Sequence, residues 1–164
     1  MSTTTSPRTV QYAVELPHTR QAPSIARHAS EDWLTENEPV DPGHGDGVPD
    51  DRVADAVLVV SELVTNAVRH TQDPCLLTLT LTLEDGLLDI AVADHSEDLP
   101  DLHDARGDER GGLGMDVIRG LGGRIRLVPA LGGKTVHVLL DAAPDKGPGR
   151  APESDAAPGP RERP

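Results

Sequence analysis

Ser61-Glu62-Leu63-Val64-Thr65-Asn66-Ala67-Val68-Arg69-His70 is the stretch on which the reading of this chain turns. It lies in an apolar-periodic run from Asp51 to Thr71, where Val53, Val57, Val60, Leu63, Val64, Ala67 and Val68 recur at three- and four-residue steps. That is the period of a helix, and about twenty helical residues span roughly 30 Å. The run carries more apolar surface than a lone helix on the outside of a domain would show. Glu62 and Asn66 stand four apart, so they share one face one turn from each other, with Arg69 and His70 a further turn along. A carboxylate and a carboxamide on a mostly buried helix are costly unless something satisfies them. A solvated stripe on a half-exposed helix would also explain such a pair. Two later segments decide between the readings.

Beyond the long helix, Leu77, Leu79, Leu81 and Leu83 alternate with Thr78, Thr80 and Thr82, so Cys75 to Leu83 reads as a half-buried strand. Glu84-Asp85-Gly86 is a hairpin turn, and Leu87 to Ala93 returns as the paired strand. Upstream, Thr9 to Leu16 alternates around Val10, Tyr12, Val14 and Leu16 as a first strand that Pro17 ends. A helix starting near Pro23-Ser24 follows, with Ile25, Ala29, Trp33 and Leu34 as its apolar residues. Glu38 to Asp50, rich in Pro, Gly and Asp, is a loop; its Asp41, His44, Asp46 and Asp50 fit no calcium-loop spacing and read as a solvated connector. Asp94 to Arg110 has no periodicity and is crowded with acids. A structureless stretch of that length inside a compact domain is usually functional or mobile. Gly111-Gly112-Leu113-Gly114 then opens a short helix through Leu121, and Gly122-Gly123 stops it. Arg124–Val128 and Lys134–Leu140 form a last hairpin across Pro129–Gly133.

The expected order is β-α-α-β-β-lid-α-β-β. It favours an α/β (α+β) two-layer sandwich with a mixed, mainly antiparallel sheet and helices on one face. No Gly-rich turn follows the first strand and opens the next helix, which argues against a dinucleotide-binding parallel sheet. Residues 1–8 read as a flexible N-terminus, 9–141 as one domain with a lid at about 94–111, and 142–164 as a disordered tail too rich in Pro, Gly, Ala and charge to build a core.

The chain has 164 residues and a net charge of -13, which argues against non-specific attraction to nucleic acid or an anionic membrane. Asp141 to Pro164 holds five acids and four bases, so the acidity belongs to the domain, concentrated between Glu84 and Glu109. The single cysteine, Cys75, excludes an internal disulfide or a cysteine-based zinc cluster and reads as a small core residue. His70, His95 and His103 form no convincing ligand set. The polar Met1–Ser6 start has no apolar signal core and no membrane-length run follows, so the expected location is cytoplasmic.

Three blocks now fall in order: Glu62-x-x-x-Asn66 on the long helix, Asp94-His95-Ser96 where a strand runs into the lid, and Gly112-Leu113-Gly114-Met115 where the lid re-enters a helix. Thr135 follows Gly132-Gly133-Lys134 at the start of the last strand. In this order and spacing they resemble the nucleotide-binding motifs of the GHKL (Bergerat-fold) ATPases and kinases. The likeness is closest to the small anti-sigma-factor serine kinases and their actinobacterial relatives. It covers Tyr12 to Leu140, with Ser61–His70 and Gly111–Ile118 its most specific pieces.

The resemblance implies a histidine-kinase-ATPase-like fold holding ATP and Mg²⁺. Asn66 would ligate Mg²⁺ through a neutral oxygen. Glu62 would orient or deprotonate the attacking hydroxyl. Asp94 would accept a hydrogen bond from the adenine amino group, with Ser96 and Thr135 beside the base. Gly112, Leu113 and Gly114 would let the backbone approach phosphates at a helix N-terminus. Two departures stand out. Ser96-Glu97-Asp98 replaces the family's frequent Gly-x-Gly, and the acids of the lid would repel a triphosphate unless Mg²⁺ and Arg106 or Arg110 compensate.

The implied activity is that of a serine/threonine protein kinase of the anti-sigma-factor type. It would phosphorylate an anti-anti-sigma (STAS-type) partner, sequester a sigma factor and so regulate transcription. The resemblance is compatible with a homodimer. A sensor histidine kinase is not expected, since no phosphoacceptor-histidine helix is read ahead of the domain, and neither is a gyrase- or MutL-like machine, since no second domain is read after it. The opposing readings are a non-catalytic regulator gated by ATP and an interaction module with a decayed pocket. The retained Glu62 argues against the decayed pocket and, less strongly, against the gated binder, which needs Asn66 but not a base.

Overall fold

Among the described residues, alternation of apolar and polar side chains builds five strands, and three helices cover one of their faces. The computed structural model describes residues 7–37, 50–83, 85–97 and 113–142. In chain order the elements are β1 (Thr9–Leu16), α1 (Ala22–Glu36), α2 (Asp50–His70), β2 (Cys75–Thr82), β3 (Leu87–Asp94), α3 (Leu113–Gly120), β4 (Arg124–Ala130) and β5 (Gly133–Asp141). The order of helices and strands is the expected one, with ends shifted by a residue or two. The expected loop, Glu38 to Asp50 with Asp41, His44 and Asp46, lies outside the described residues except for Asp50, which opens α2 instead. Also outside them are Glu84, the first six residues, Gly112, the tail from 143 onward, and the part of the expected lid (about 94–111) beyond Glu97, with His103, Arg106, Arg110 and Gly111.

The strands form one sheet in the order β1-β2-β3-β5-β4, and every pairing is antiparallel. This corrects the expected mixed sheet, for a topological reason. Two helices separate β1 from β2, so three reversals of the chain, into α1, into α2 and into β2, set β2 antiparallel to β1. The single-helix crossover from β3 through α3 does leave β4 running the same way as β3. However, β5 is inserted between them and keeps the parallel strands apart.

Register decides what faces the helices. Tyr12, Leu79, Ile90, Val138 and Ile125 stand side by side across all five strands, and Val14, Leu77, Val92, Val136 and Leu127 form the next row. Leu77, Leu79, Ile90 and Val138 are fully buried, each worth about 1.5–3 kcal/mol relative to an exposed side chain. One row further, the same face begins with Leu16 opposite Cys75 and ends with Asp94 opposite Lys134. Apolar burial gives way there to a charged pair. Helix α2 crosses this face over β2, β3 and β5, α1 packs on α2 and β1, and α3 packs on α2 and β4.

The buried stripe of α1 is Ala22, Ala26, Ser30 and Leu34; of the expected Ile25, Ala29, Trp33 and Leu34 only Leu34 belongs to it, and Ile25 is exposed. Small residues at four-residue spacing let α1 approach α2 closely, and bulk then decides less than fit. Ser30 is fully buried and its Oγ has no hydrogen-bond partner. Trp33 instead reaches over β1, its ring centroid 6.1 Å from that of Tyr12. At the other end of the sheet, Gly122 and Gly123 stop α3 as expected. Gly122 has φ +80, its N–H donates to Arg119 O, and Gly123 N–H donates to Ile118 O. This paired closure satisfies two terminal carbonyls and requires a left-handed residue. Ala142, placed at the head of the expected tail, is buried and donates to Gly86 O at 2.7 Å. No helix among the described residues is long and apolar enough to cross a membrane.

Candidate nucleotide site

A pocket opens where β3 and β5 run out beneath the second half of α2. Asn66 and His70 line it from α2, Asp94 from β3, Met115 from α3 and Lys134 from β5, over an apolar base that includes Leu63 and Val92. The cavity encloses about 20 Å³, the room of about one water molecule.

Asp94 anchors the polar end. Ser96 N–H donates to its Oδ1 at 2.8 Å, a turn in which a side chain two residues back takes the place of a backbone acceptor. The Lys134 ammonium donates to the same Oδ1 at 3.0 Å and to Ser96 O at 3.3 Å. Both charged side chains are 4% exposed. Removing one member of such a pair strands the other, a loss of about 3–5 kcal/mol. Both bonds to Asp94 use Oδ1, so Oδ2 is engaged by neither. Cys75 is buried nearby; burial first, and the Asp94 charge second, push its thiol up from the ordinary 9.0. It is the inert core thiol that its position suggests.

Glu62 and Asn66 are half-buried on α2, one turn apart. Asn66 faces the pocket. Glu62 lies against the start of α3, where a Cβ built on Gly114 would collide with its carboxylate. Gly114 thus lets the first turn of α3 close on α2, and the bare glycine backbone forms a cradle that any side chain would fill. Free N–H groups at that helix end favour negative charge, whether a carboxylate or a phosphate. Leu113 opens α3 and so stands at that same end, while Gly112 lies outside the described residues.

Of the residues expected to form the site, Glu62, Asn66, Asp94, Ser96 and Gly114 are brought to one end of the sheet. Ser96 takes part through its backbone N–H and carbonyl. Thr135 is not brought there. It pairs with Ala93 and Val128 on the outer face of the sheet, because its neighbours Lys134 and Val136 are the ones turned inward. Sequence reasoning missed Lys134. The signal was available: Val136, Val138 and Leu140 set an inward period of two, and counting back by two reaches Lys134 rather than Thr135.

An Asp–Lys pair with a spare carboxylate oxygen suits the polar edge of a base. A neutral amide oxygen suits a cation that takes its other ligands from phosphate and water. A glycine-entered helix N-terminus suits phosphates. These donors fit a bound Mg·nucleotide.

The family model for the histidine kinase-like ATPase domain matches residues 20–140. Among solved structures, the RsbU and RsbW domains of Rv1364c from Mycobacterium tuberculosis match with a TM-score of 0.55 and 23% identity, over 80% of this chain and 32% of that one. The chain therefore spans about a third of that protein's length. The blue-light activated histidine kinase EL346 of Erythrobacter litoralis matches with a TM-score of 0.45 and 21% identity, over 73% of this chain and 40% of that one. No curated protein matches the chain. At 23% identity the likeness to the Rv1364c domains is one of fold.

Proposed function

Because the chain belongs to the histidine kinase-like ATPase domain family, we propose that it binds Mg·ATP between α2, α3 and the ends of β3 and β5 and transfers the terminal phosphoryl group to a serine or threonine of a protein partner. The partner class implied by the motif resemblance is an anti-anti-sigma (STAS-type) protein, so that phosphorylation would set whether a sigma factor is held or released. The observation that carries the proposal is the convergence of Glu62, Asn66 and Gly114. Asn66 and Met115 line one pocket, and Glu62, one turn before Asn66 on α2, lies against Gly114, the residue before Met115 in the first turn of α3.

Bound Mg·ATP supplies the transferable phosphoryl group and the cation that offsets its charge. Asn66 would give that cation its protein oxygen. The backbone of Leu113 and Gly114, with Gly112 before them in sequence, would receive phosphate oxygens. Asp94 would accept the base's amino group on Oδ2, held in place by Ser96. Glu62 would orient the acceptor hydroxyl and take its proton as the hydroxyl oxygen bonds the γ-phosphorus and the ADP oxygen departs.

One observation favours a second reading, in which ATP only orders the protein for partner binding. Glu62 rests on the first turn of α3, where a carboxylate stabilises a helix whatever the chemistry. Incubation with γ-labelled ATP, Mg²⁺ and cognate STAS proteins separates the two. Label on a partner serine or threonine supports the kinase. ATP binding that changes partner affinity without transfer supports the gated binder.

A further inference from the structure

Strand β5 joins β3 through a contact with no room for a side chain. A Cβ built on Gly133 would collide with the carbonyl oxygen of Asp94 and stand 3.0 Å from His95 Cα. Gly133 therefore lets the two backbones close at this point. In that register Lys134 lies opposite Asp94, and both side chains turn into the pocket.

An ammonium carries three hydrogens. Two are committed here, one to Asp94 Oδ1 and one to Ser96 O. Taking both charges out of water is offset by their attraction only if the remaining hydrogens and lone pairs also find partners. Among the described residues, the third hydrogen of Lys134 and Oδ2 of Asp94 have no partner, and these are the groups offered to a ligand. Together they are a donor beside an acceptor, and they match a ligand edge that offers an acceptor beside a donor. Ring N1 and the 6-amino group of adenine form such an edge. A 6-oxopurine in the same pose offers the reverse pattern, with each group facing its like.

We infer that Lys134 is a specificity-determining residue of this pocket, donating to ring N1 of adenine while Asp94 accepts from the 6-amino group. The inference rests on the reading of the pocket as an ATP site and assigns its base recognition to a pair of side chains rather than to one carboxylate. Gly133 is part of the device. With any side chain there, β5 would be held off β3 and the ammonium drawn away from the carboxylate.

The test compares ATP with 1-deaza-ATP, in which C–H replaces N1, by calorimetric titration of the full chain. Wild type should bind 1-deaza-ATP about ten- to a hundredfold more weakly, the range of a lost hydrogen bond from a charged donor. Lys134→Met should bind ATP more weakly than wild type and no longer distinguish the two nucleotides. The double variant Asp94→Asn/Lys134→Met leaves no lone buried charge, and it should likewise be indifferent to N1 if the single variant melts early. Equal affinity of wild type for the two nucleotides overturns the inference. So does tighter ATP binding by Lys134→Met, which would make the lysine an occupant that the base displaces. If wild type binds neither nucleotide, the ATP-site reading itself fails, and this inference with it.

Discussion

The Glu62 carboxylate and the Gly114 backbone are in contact: a Cβ on Gly114 would collide with Oε2 and stand 3.4 Å from Cδ. Glycine at this position is what lets the helix carrying the acid meet the N-terminus of the helix assigned to the phosphates. Gly114→Ala should therefore separate stability from function. The atom in the way is the far end of a flexible side chain, so Glu62 can turn aside, and alanine favours the helix over glycine by about 1 kcal/mol. The thermal melt should hold or rise, while phosphoryl transfer falls about tenfold or more as Glu62 is displaced. Wild-type transfer in the alanine variant would detach this contact from the chemistry.

Glu62→Gln keeps the reach of the side chain but removes its charge and its capacity to take a proton. ATP binding should survive, and transfer to the partner serine or threonine should drop by about 10²–10⁴-fold. A titration and a transfer assay on the same pair of proteins check this. Intact transfer in the Gln variant would leave Glu62 with the helix-end role that its contact with α3 also allows.

Asn66 lines the pocket from a half-buried position, so its loss opens no core cavity. Asn66→Ala should leave the apo melt nearly unchanged, since alanine is the better helix former. Its ATP affinity should match the wild-type value without Mg²⁺ and fail to rise when Mg²⁺ is added. A variant that still gains affinity with Mg²⁺ would show the cation to be held elsewhere.

Cys75 links the pocket to alkaline stability. Burial, then the Asp94 charge, hold its thiol above the ordinary 9.0, so above that value the folded chain keeps a proton that the unfolded chain gives up. This contribution is whole below pH 9.0 and is lost as pH rises through the raised folded value. Urea unfolding across the alkaline range should show stability falling less steeply in Cys75→Ala than in wild type. Parallel slopes would mean that the thiol does not titrate differently on folding.

Local periodicity in the sequence was enough to determine the elements. The three- and four-residue steps of α2, the Leu–Thr alternation of β2 and the glycine stop after α3 are short-range patterns, and each element formed where its pattern lay. Glu62, Asn66, Asp94 and Gly114 could be placed at element ends or on one helix face from local pattern, while the roles proposed for them came from the motif resemblance. The facts that only the tertiary structure decided concern pairing across the chain. The antiparallel order β3-β5-β4, the choice of Ala22, Ala26, Ser30 and Leu34 as the face that α1 buries, and the meeting of Lys134 with Asp94 across 40 residues all depend on which surfaces close on which. Thr135 was read toward the site from the motif resemblance, at the start of the strand after Gly132-Gly133-Lys134. Register against β3 turned it outward and put its neighbour in the pocket, because a strand reverses its face at every residue and a shift of one exchanges the two.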